Sequence, residues 1–178
     1  MKLNIISICK IKDKKAVKDL YKASFPKEEQ LPWFILRLAA IHRDIDISCF
    51  YNGETLCGFT FTIQTDKIMY IMFLAVKEEF QSMGYGSEIL SIYKTNHAEK
   101  QIVLIVEPLN ADADNYNDRI RRIRFYEKNG FSDTGYDIEE VGGLFRILST
   151  SSSIDTEEYL KVYKKLSFGL WKPKITKI

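Results

Sequence analysis

An α/β (α+β) domain, with a mixed β-sheet covered by helices on both faces, is what this chain predicts, and three observations carry the prediction. Three β-rich runs follow one another between residues 45 and 76, separated by Asn52-Gly53 and Thr65-Asp66-Lys67, and so read as an antiparallel meander. The last of them, ending Phe73-Leu74-Ala75-Val76, leads through a glycine-rich turn into a helical pattern, and a second apolar run, residues 101–106, follows that helix. The 178 residues are 46% hydrophobic and 28% charged, a balance that suits one soluble domain with a sizeable core and excludes disorder.

In chain order, residues 3–8 read as an edge strand. Asp13 caps a helix reaching Ala23, with Ala16, Val17, Leu20 and Tyr21 at helical spacing. Pro26 and Pro32 bracket the polar turn Lys27-Glu28-Glu29-Gln30, and residues 33–41 form a second helix with Leu36, Ala39 and Ala40 inward. The meander strands are residues 45–51, 54–65 and 67–76. Residues 84–98 are helical with Ile89, Leu90 and Tyr93 facing the sheet, and 101–106 is a strand. A short helix over 119–128 is stopped by Asn129-Gly130, and strands over 131–138 and 141–148 follow. After a serine-rich link, residues 149–153, Asp155 caps one more helix ending at Leu166. The order β-α-α-β-β-β-α-β-α-β-β contains about seven strands. No internal repeat or low-complexity segment occurs.

The turn Gln81-Ser82-Met83-Gly84-Tyr85-Gly86 opens a helix, so its backbone N–H groups and the positive end of the helix dipole converge where a phosphate would sit. Gly86-Ser87-Glu88 has no lysine for a nucleotide triphosphate, which excludes a P-loop. The third glycine of a dinucleotide fingerprint is replaced by Ile89, which argues against a Rossmann site. What remains is Gln/Arg-x-x-Gly-x-Gly/Ala, separated by four intervening residues from Phe73-Leu74-Ala75-Val76. Downstream by about 40 residues stands Arg124-Phe125-Tyr126-Glu127-Lys128-Asn129-Gly130-Phe131.

Together these two motifs resemble the coenzyme A loop and the tyrosine-bearing helix of the GCN5-related N-acetyltransferase (GNAT) superfamily, over roughly residues 1–150. The resemblance implies the GNAT fold, a mostly antiparallel mixed sheet; residues 151–178, a C-terminal helix and basic tail, lie outside that core, and the short link favours packing on a sheet face of the same domain over packing on a second subunit. It implies acetyl-CoA as co-substrate, no metal, and direct transfer of the acetyl group to a primary amine in a ternary complex. Leu74 would polarise the thioester carbonyl through its N–H, and Val76 would hold the pantetheine arm, with Ala75 between them, where the strand ending at Val76 splays from the strand ending at Val106. The amides of Gln81, Ser82, Met83, Gly84, Tyr85, Gly86 and Ser87 would take the pyrophosphate, and Tyr126 would protonate the departing thiolate.

Two departures from the family pattern matter. Arg119 and Arg122 stand where relatives carry asparagine and alanine, which leaves them to coenzyme A phosphates or to solvent. Tyr70 stands where relatives with the same strand carry a glutamate base, so Glu107 at the end of the next strand is the expected replacement, followed by Glu28 or Glu29 in the turn over the acceptor site. Phe34, with Phe25, Trp33 and Phe145, is a candidate for an aromatic acceptor wall and equally for the core.

Other features point elsewhere. Cys9, Cys49 and Cys57 lie in apolar runs with no Cys-x-x-Cys spacing, which fits reduced core residues, a cytoplasmic setting and no covalent nucleophile. Met1-Lys2-Leu3-Asn4 opens no leader, and no apolar stretch reaches the roughly 18 residues of a membrane span. The segment 112–118 lacks the glycine and glutamate of a calcium loop and reads as a polar loop beside the acceptor site. His42 and His97 have no ligand-spaced partner. A net charge of +2 does not point to nucleic acid, and the lysines from 164 to 177 read as a solvated tail. The expected partner is a small-molecule amine or a peptide or protein amine, with the chain a monomer or homodimer. A non-catalytic acyl-CoA sensor or interaction module is the alternative, and Tyr126 weighs against it.

Overall fold

The computed structural model describes residues 3–11, 13–140 and 142–178. In chain order the elements are β1 (Asn4–Ser7), α1 (Lys14–Ser24), α2 (Trp33–Ala39), β2 (Ile45–Asn52), β3 (Thr55–Gln64), β4 (Ile68–Val76), α3 (Tyr85–Asn96), β5 (Gln101–Val106), α4 (Tyr116–Lys128), β6 (Ser132–Glu140), β7 (Gly143–Ser149), α5 (Thr156–Leu166) and β8 (Lys174–Lys177). The strands form one sheet in the order β1-β2-β3-β4-β5-β7-β6-β8. Of these neighbours β4 and β5 run parallel and the others antiparallel.

Residue chemistry sets the ends of the helices. Asp13 Oδ1 accepts from the Lys15 and Ala16 amides at 3.1 Å, and Asp155 Oδ1 does the same for Glu157 and Glu158 in α5. Helix α4 ends in a Schellman motif: the Gly130 amide donates to the Glu127 carbonyl (2.9 Å) and the Phe131 amide to the Tyr126 carbonyl (3.1 Å). Gly130 sits at φ +80°, which an L side chain resists. The Gly-Phe pair that follows Tyr126 is thus the device that turns the chain from α4 into β6.

Side-chain alternation divides the core into two layers. Helices α1, α2 and α5 cover one face, where Val17, Leu20, Tyr21, Leu36, Tyr159, Val162 and Tyr163 pack on Ile47, Phe59, Phe61, Tyr70 and Phe73. Helix α3 covers the other with Tyr85, Ile89, Leu90 and Tyr93, against Phe50, Met69, Ile71, Ile102 and Leu104, and Phe125 and Tyr126 of α4 join it. The two-residue period of a strand would keep Met69, Ile71 and Phe73 on one face. Instead Phe73 packs with Tyr70 on the opposite face from Ile71, because the pairing of β3 and β4 slips between Phe61↔Phe73 and Thr62↔Ile71 and leaves Met72 as an extra residue. A bulge of this kind bends its strand. Immediately before it β4 stops pairing with β5, whose contact is limited to Ile68–Tyr70 against residues 101–103.

Three expectations are corrected. The lysine-rich tail is not a solvated terminus: β8 pairs with Tyr136–Glu139 of β6, making an eighth strand, and Ile175 packs against the core. Its alternation Lys-Ile-Thr-Lys carries one apolar residue, too weak a signal to distinguish a strand from a tail. Helix α4 begins at Tyr116, so residues 116–118 of the acidic segment are helical. Cys9 is exposed, whereas Cys49 and Cys57 are buried, and burial pushes the Cys49 thiol up to about 12. Met1, Lys2 and Val141, placed by the sequence at the N-terminus and in the last strand, lie outside the described residues. Among the described residues no helix is long and apolar enough to cross a membrane, and no group of His, Cys, Asp and Glu is arranged to hold a metal ion.

Candidate active site

Beyond the bulge the two strands part, and the gap between them is the floor of a cleft of about 660 Å³, within the roughly 300–1,000 Å³ of small-molecule sites. Met72, Phe73, Leu74 and Val76 line one side and Leu104 to Glu107 the other. Which main-chain groups face the gap follows from the ladder. Lys77 donates to the Cys57 carbonyl (2.8 Å), and in an antiparallel pair the hydrogen-bonding residues alternate. Ala75, opposite Phe59, therefore spends its groups on β3, while Leu74 and Val76 turn theirs to the edge that β5 has left. The Gln81 side chain, donating from Nε2 to the Val76 carbonyl at 3.1 Å, marks that edge. Ala75 itself is buried in the core and does not line the cleft.

At one end the cleft meets the turn before α3. Ser82 (φ +60°) and Gly84 (φ +89°) both lie in the left-handed region, a conformation that gathers successive amides into an anion-binding concavity. The amides of residues 82–87 have no acceptor among the described residues, whereas the Gln81 amide donates to the Glu78 carbonyl (3.1 Å) and is spent. The run of amides without an acceptor therefore begins at Ser82, one residue later than the set expected from the sequence. Gln81, Ser82, Gly84, Gly86 and Ser87 line the cleft; Met83 is exposed beside it, and the Tyr85 side chain is buried beneath, its hydroxyl accepting from Asn52 Nδ2 at 2.9 Å. The two glycines have different physical causes. A Cβ on Gly84 would meet nothing within 4 Å, so its φ is what demands glycine, whereas a Cβ on Gly86 would stand 3.0 Å from the Phe125 ring. Gly86 lets α4 approach α3.

Tyr126 of α4 lines the cleft, its ring edge-on to Phe125 and Phe131. Burial and the Arg122 charge act on its hydroxyl, and no hydrogen bond to it is found among the described residues. Burial raises its pKa against the opposing pull of the Arg122 guanidinium, so the phenol holds its proton.

Carboxylates gather at the other end. Glu107 lines the cleft, but Arg119 reaches Oε1 at 2.9 Å, Arg122 reaches Oε2 at 2.8 Å, and Asn115 Nδ2 lies within 3.1 and 3.2 Å of the two oxygens. Its lone pairs are spent on three donors, and this geometry argues against the expected general base: Glu107 clasps the start of α4 to the end of β5. Arg119 and Arg122 both pair with Glu107; Arg119 is largely covered, while Arg122 stays exposed and lines the cleft. Glu29 lines the cleft from the turn after α1, where Gln30 Nε2 donating to the Phe25 carbonyl (2.6 Å) and Tyr21 donating to the Leu31 carbonyl (3.1 Å) hold the backbone. Burial, then the charge of Glu107, raises its pKa. Glu28 and Phe34 do not line the cleft: Glu28 is exposed, and Phe34 is 71% exposed on the outer face of α2. Trp33 packs on Tyr21, while Phe25 and Phe145 form part of the wall.

Glu140, at the end of β6, also lines the cleft and was not singled out by sequence. Tyr70 donates to its Oε1 at 2.9 Å, and Tyr163 of α5 donates to the same oxygen. Burial raises its pKa; the two phenol hydrogen bonds oppose the rise and Glu29 adds to it. The signal for it lay in Tyr70, a tyrosine standing where a strand carboxylate was expected.

Residues 14–131 match the model of the acetyltransferase (GNAT) family. No curated protein matches the chain. Among solved structures, a Bacteroides thetaiotaomicron protein assigned to the GNAT family of acetyltransferases superposes with a TM-score of 0.71 at 22% identity, over 96% of this chain and all of that one. An aminoglycoside 6'-N-acetyltransferase complexed with coenzyme A gives 0.64 at 15% identity, over 85% of this chain and 98% of that one. Naa50 of Arabidopsis thaliana, in complex with the bisubstrate analogue CoA-Ac-MVNAL, gives 0.59 at 20% identity, over 85% and 99%. At these identities the neighbours speak for the fold, while the family model spans most of the chain. By that match, and in keeping with its parted strands and glycine turn, the chain belongs to the GNAT family of acetyltransferases.

Proposed function

We propose that this protein transfers an acetyl group from acetyl-CoA to a primary amine of a small molecule or peptide, by direct attack with both substrates bound. The observation that carries the reading is the cleft itself: one cavity lined by the unpaired edge of β4, the free amides after Gln81 and the unpartnered hydroxyl of Tyr126. The residues present fit this co-substrate, since Gly84 leaves the amides uncovered and the Leu74 and Val76 main chain has no strand partner across the gap. The coenzyme A complexes among its structural neighbours add support.

Bound acetyl-CoA supplies an activated acyl carbon. The amides of residues 82–87 bind the pyrophosphate at the positive end of α3. Val76 orients the pantetheine arm through its main chain, and the Leu74 N–H donates to the thioester oxygen as negative charge develops there. Tyr126 gives its proton to the leaving sulfur. Glu29 attracts the cationic acceptor, and Phe25 and Phe145 pack against its apolar part.

Calorimetry with acetyl-CoA, followed by thiol release with arylalkyl amines, diamines and peptides bearing a free N-terminus, tests the reading. One site per chain and turnover of at least one amine are expected; binding without turnover of any would leave the sensor alternative. Replacement Gly84→Val forces a β-branched residue to φ +89° and re-aims the amides, with acetyl-CoA affinity expected to fall by about tenfold or more. Unchanged affinity would remove the turn from the binding site.

A further inference from the structure

We propose that Glu140 accepts the proton of the acceptor amine, and that Tyr70, Tyr163 and Tyr159 are positioning residues that hold its carboxylate; the proposal rests on the acetyl-transfer reading above. Three observations carry it. The Tyr70 hydroxyl, on β4 beside the bulge, donates to Glu140 Oε1 at 2.9 Å, so that the strand holds a carboxylate by hydrogen bond. Tyr163 donates to the same oxygen, and Tyr159, 2.9 Å from the Tyr163 hydroxyl, continues the chain; all three rings are fully buried and pack edge-on or tilted against one another. Oε2 has no partner among the described residues, yet no buried side-chain oxygen among them lacks one, so Oε2 is accessible on a residue that lines the cleft.

Contrast with Glu107 settles which carboxylate is available. Glu107 is held by two guanidiniums and an amide, whereas Glu140 is held by two neutral phenols on one oxygen, and its other oxygen has no partner among the described residues. The charged or titratable groups facing Glu140 are Tyr70 from β4, Tyr163 and behind it Tyr159 from α5, and Glu29 from the turn after α1. No cation among the described residues pairs with it. Burial and the Glu29 charge keep its basicity above that of an exposed carboxylate. Glu140, Tyr159 and Tyr163 all lie beyond residues 14–131, the part of the chain that matches the family model. The C-terminal helix thus helps to hold the carboxylate that β6 supplies.

Protons balance as follows. Glu140 Oε2 takes one proton from the ammonium form of the acceptor, directly or through one water, and later releases it to solvent. The nitrogen attacks the thioester carbon, the C–N bond forms and the C–S bond breaks. Tyr126 protonates the sulfur, and the second proton lost by nitrogen restores Tyr126.

The test uses the full chain, acetyl-CoA and the best amine of the panel. Glu140→Gln should lower kcat by about 10²- to 10⁴-fold with acetyl-CoA affinity unchanged, and should abolish the acid limb of the kcat–pH profile. Tyr163→Phe and Tyr70→Phe remove hydrogen bonds that favour the charged carboxylate, so each should move that limb to higher pH, with Tyr159→Phe shifting it less. If Glu140→Gln keeps both rate and limb, or if neither phenylalanine variant moves the limb, the proposal falls alone. If the wild-type protein binds acetyl-CoA but acetylates no amine of the panel, the acetyl-transfer reading falls and takes the proposal with it.

Discussion

Tyr126→Phe is expected to leave acetyl-CoA affinity near wild type while lowering kcat by roughly 10- to 1,000-fold, the range for loss of one general acid. The substitution removes a single oxygen that makes no hydrogen bond among the described residues and leaves the ring in place between Phe125 and Phe131. Folding should therefore be unaffected, and a melting temperature within about a degree of wild type is the control. The loss corresponds to about 1.4–4 kcal/mol of barrier. Its signature is a fall in kcat and kcat/KM together, since the proton is needed only as the C–S bond breaks. Unchanged turnover would make Tyr126 a packing residue whose hydroxyl happens to face the cleft.

The largest stability effect is expected at Gly58, which lies opposite Val76 in the pairing of β3 with β4. A Cβ built there would stand 2.5 Å from the Ala75 carbonyl oxygen and 3.4 Å from Ile89 Cδ1. The first neighbour is backbone and cannot rotate away, so Gly58→Val must push β4 off β3 or tilt α3. Overpacking of a buried site costs about 1–3 kcal/mol, and for a chain of this size each kcal/mol lowers the melting temperature by roughly 2–4 °C. A fall of about 2–12 °C is the expected outcome. Because the displaced strand carries Leu74 and Val76, acetyl-CoA affinity should fall as well. Differential scanning calorimetry showing wild-type melting for Gly58→Val would refute the close approach of the two strands.

Much of the architecture was readable as pattern. The Asn52-Gly53 hairpin, the Asp13 and Asp155 caps and the Asn129-Gly130 stop are local devices whose partners lie within a few residues, so composition and spacing suffice to place them. The strip from Gln101 to Val106 was readable for the same reason, as an apolar run long enough for a strand and too short for a helix. Strand β8 was not, because its place beside β6 depends on a pairing nearly 40 residues away and on a single inward Ile175.

The functional residues divide along the same line. Backbone chemistry announced itself: a glycine-rich turn after a strand and a tyrosine before a Gly-Phe stop are motifs because their geometry is local. Side-chain chemistry did not. Glu107 looked available at a strand end until Arg119 and Arg122, one helix away, took both its oxygens. Glu140 looked like one more acidic residue near a hairpin until Tyr70 and Tyr163, 70 positions upstream and 23 downstream, converged on it. The sequence by itself determined the family resemblance, the order of elements and the glycine turn and tyrosine that line the cleft. Only the tertiary structure decided the bulge at Met72 that parts β4 from β5, and which carboxylate is spoken for and which is free, because both depend on contacts between elements far apart in the chain, and no local spacing encodes those.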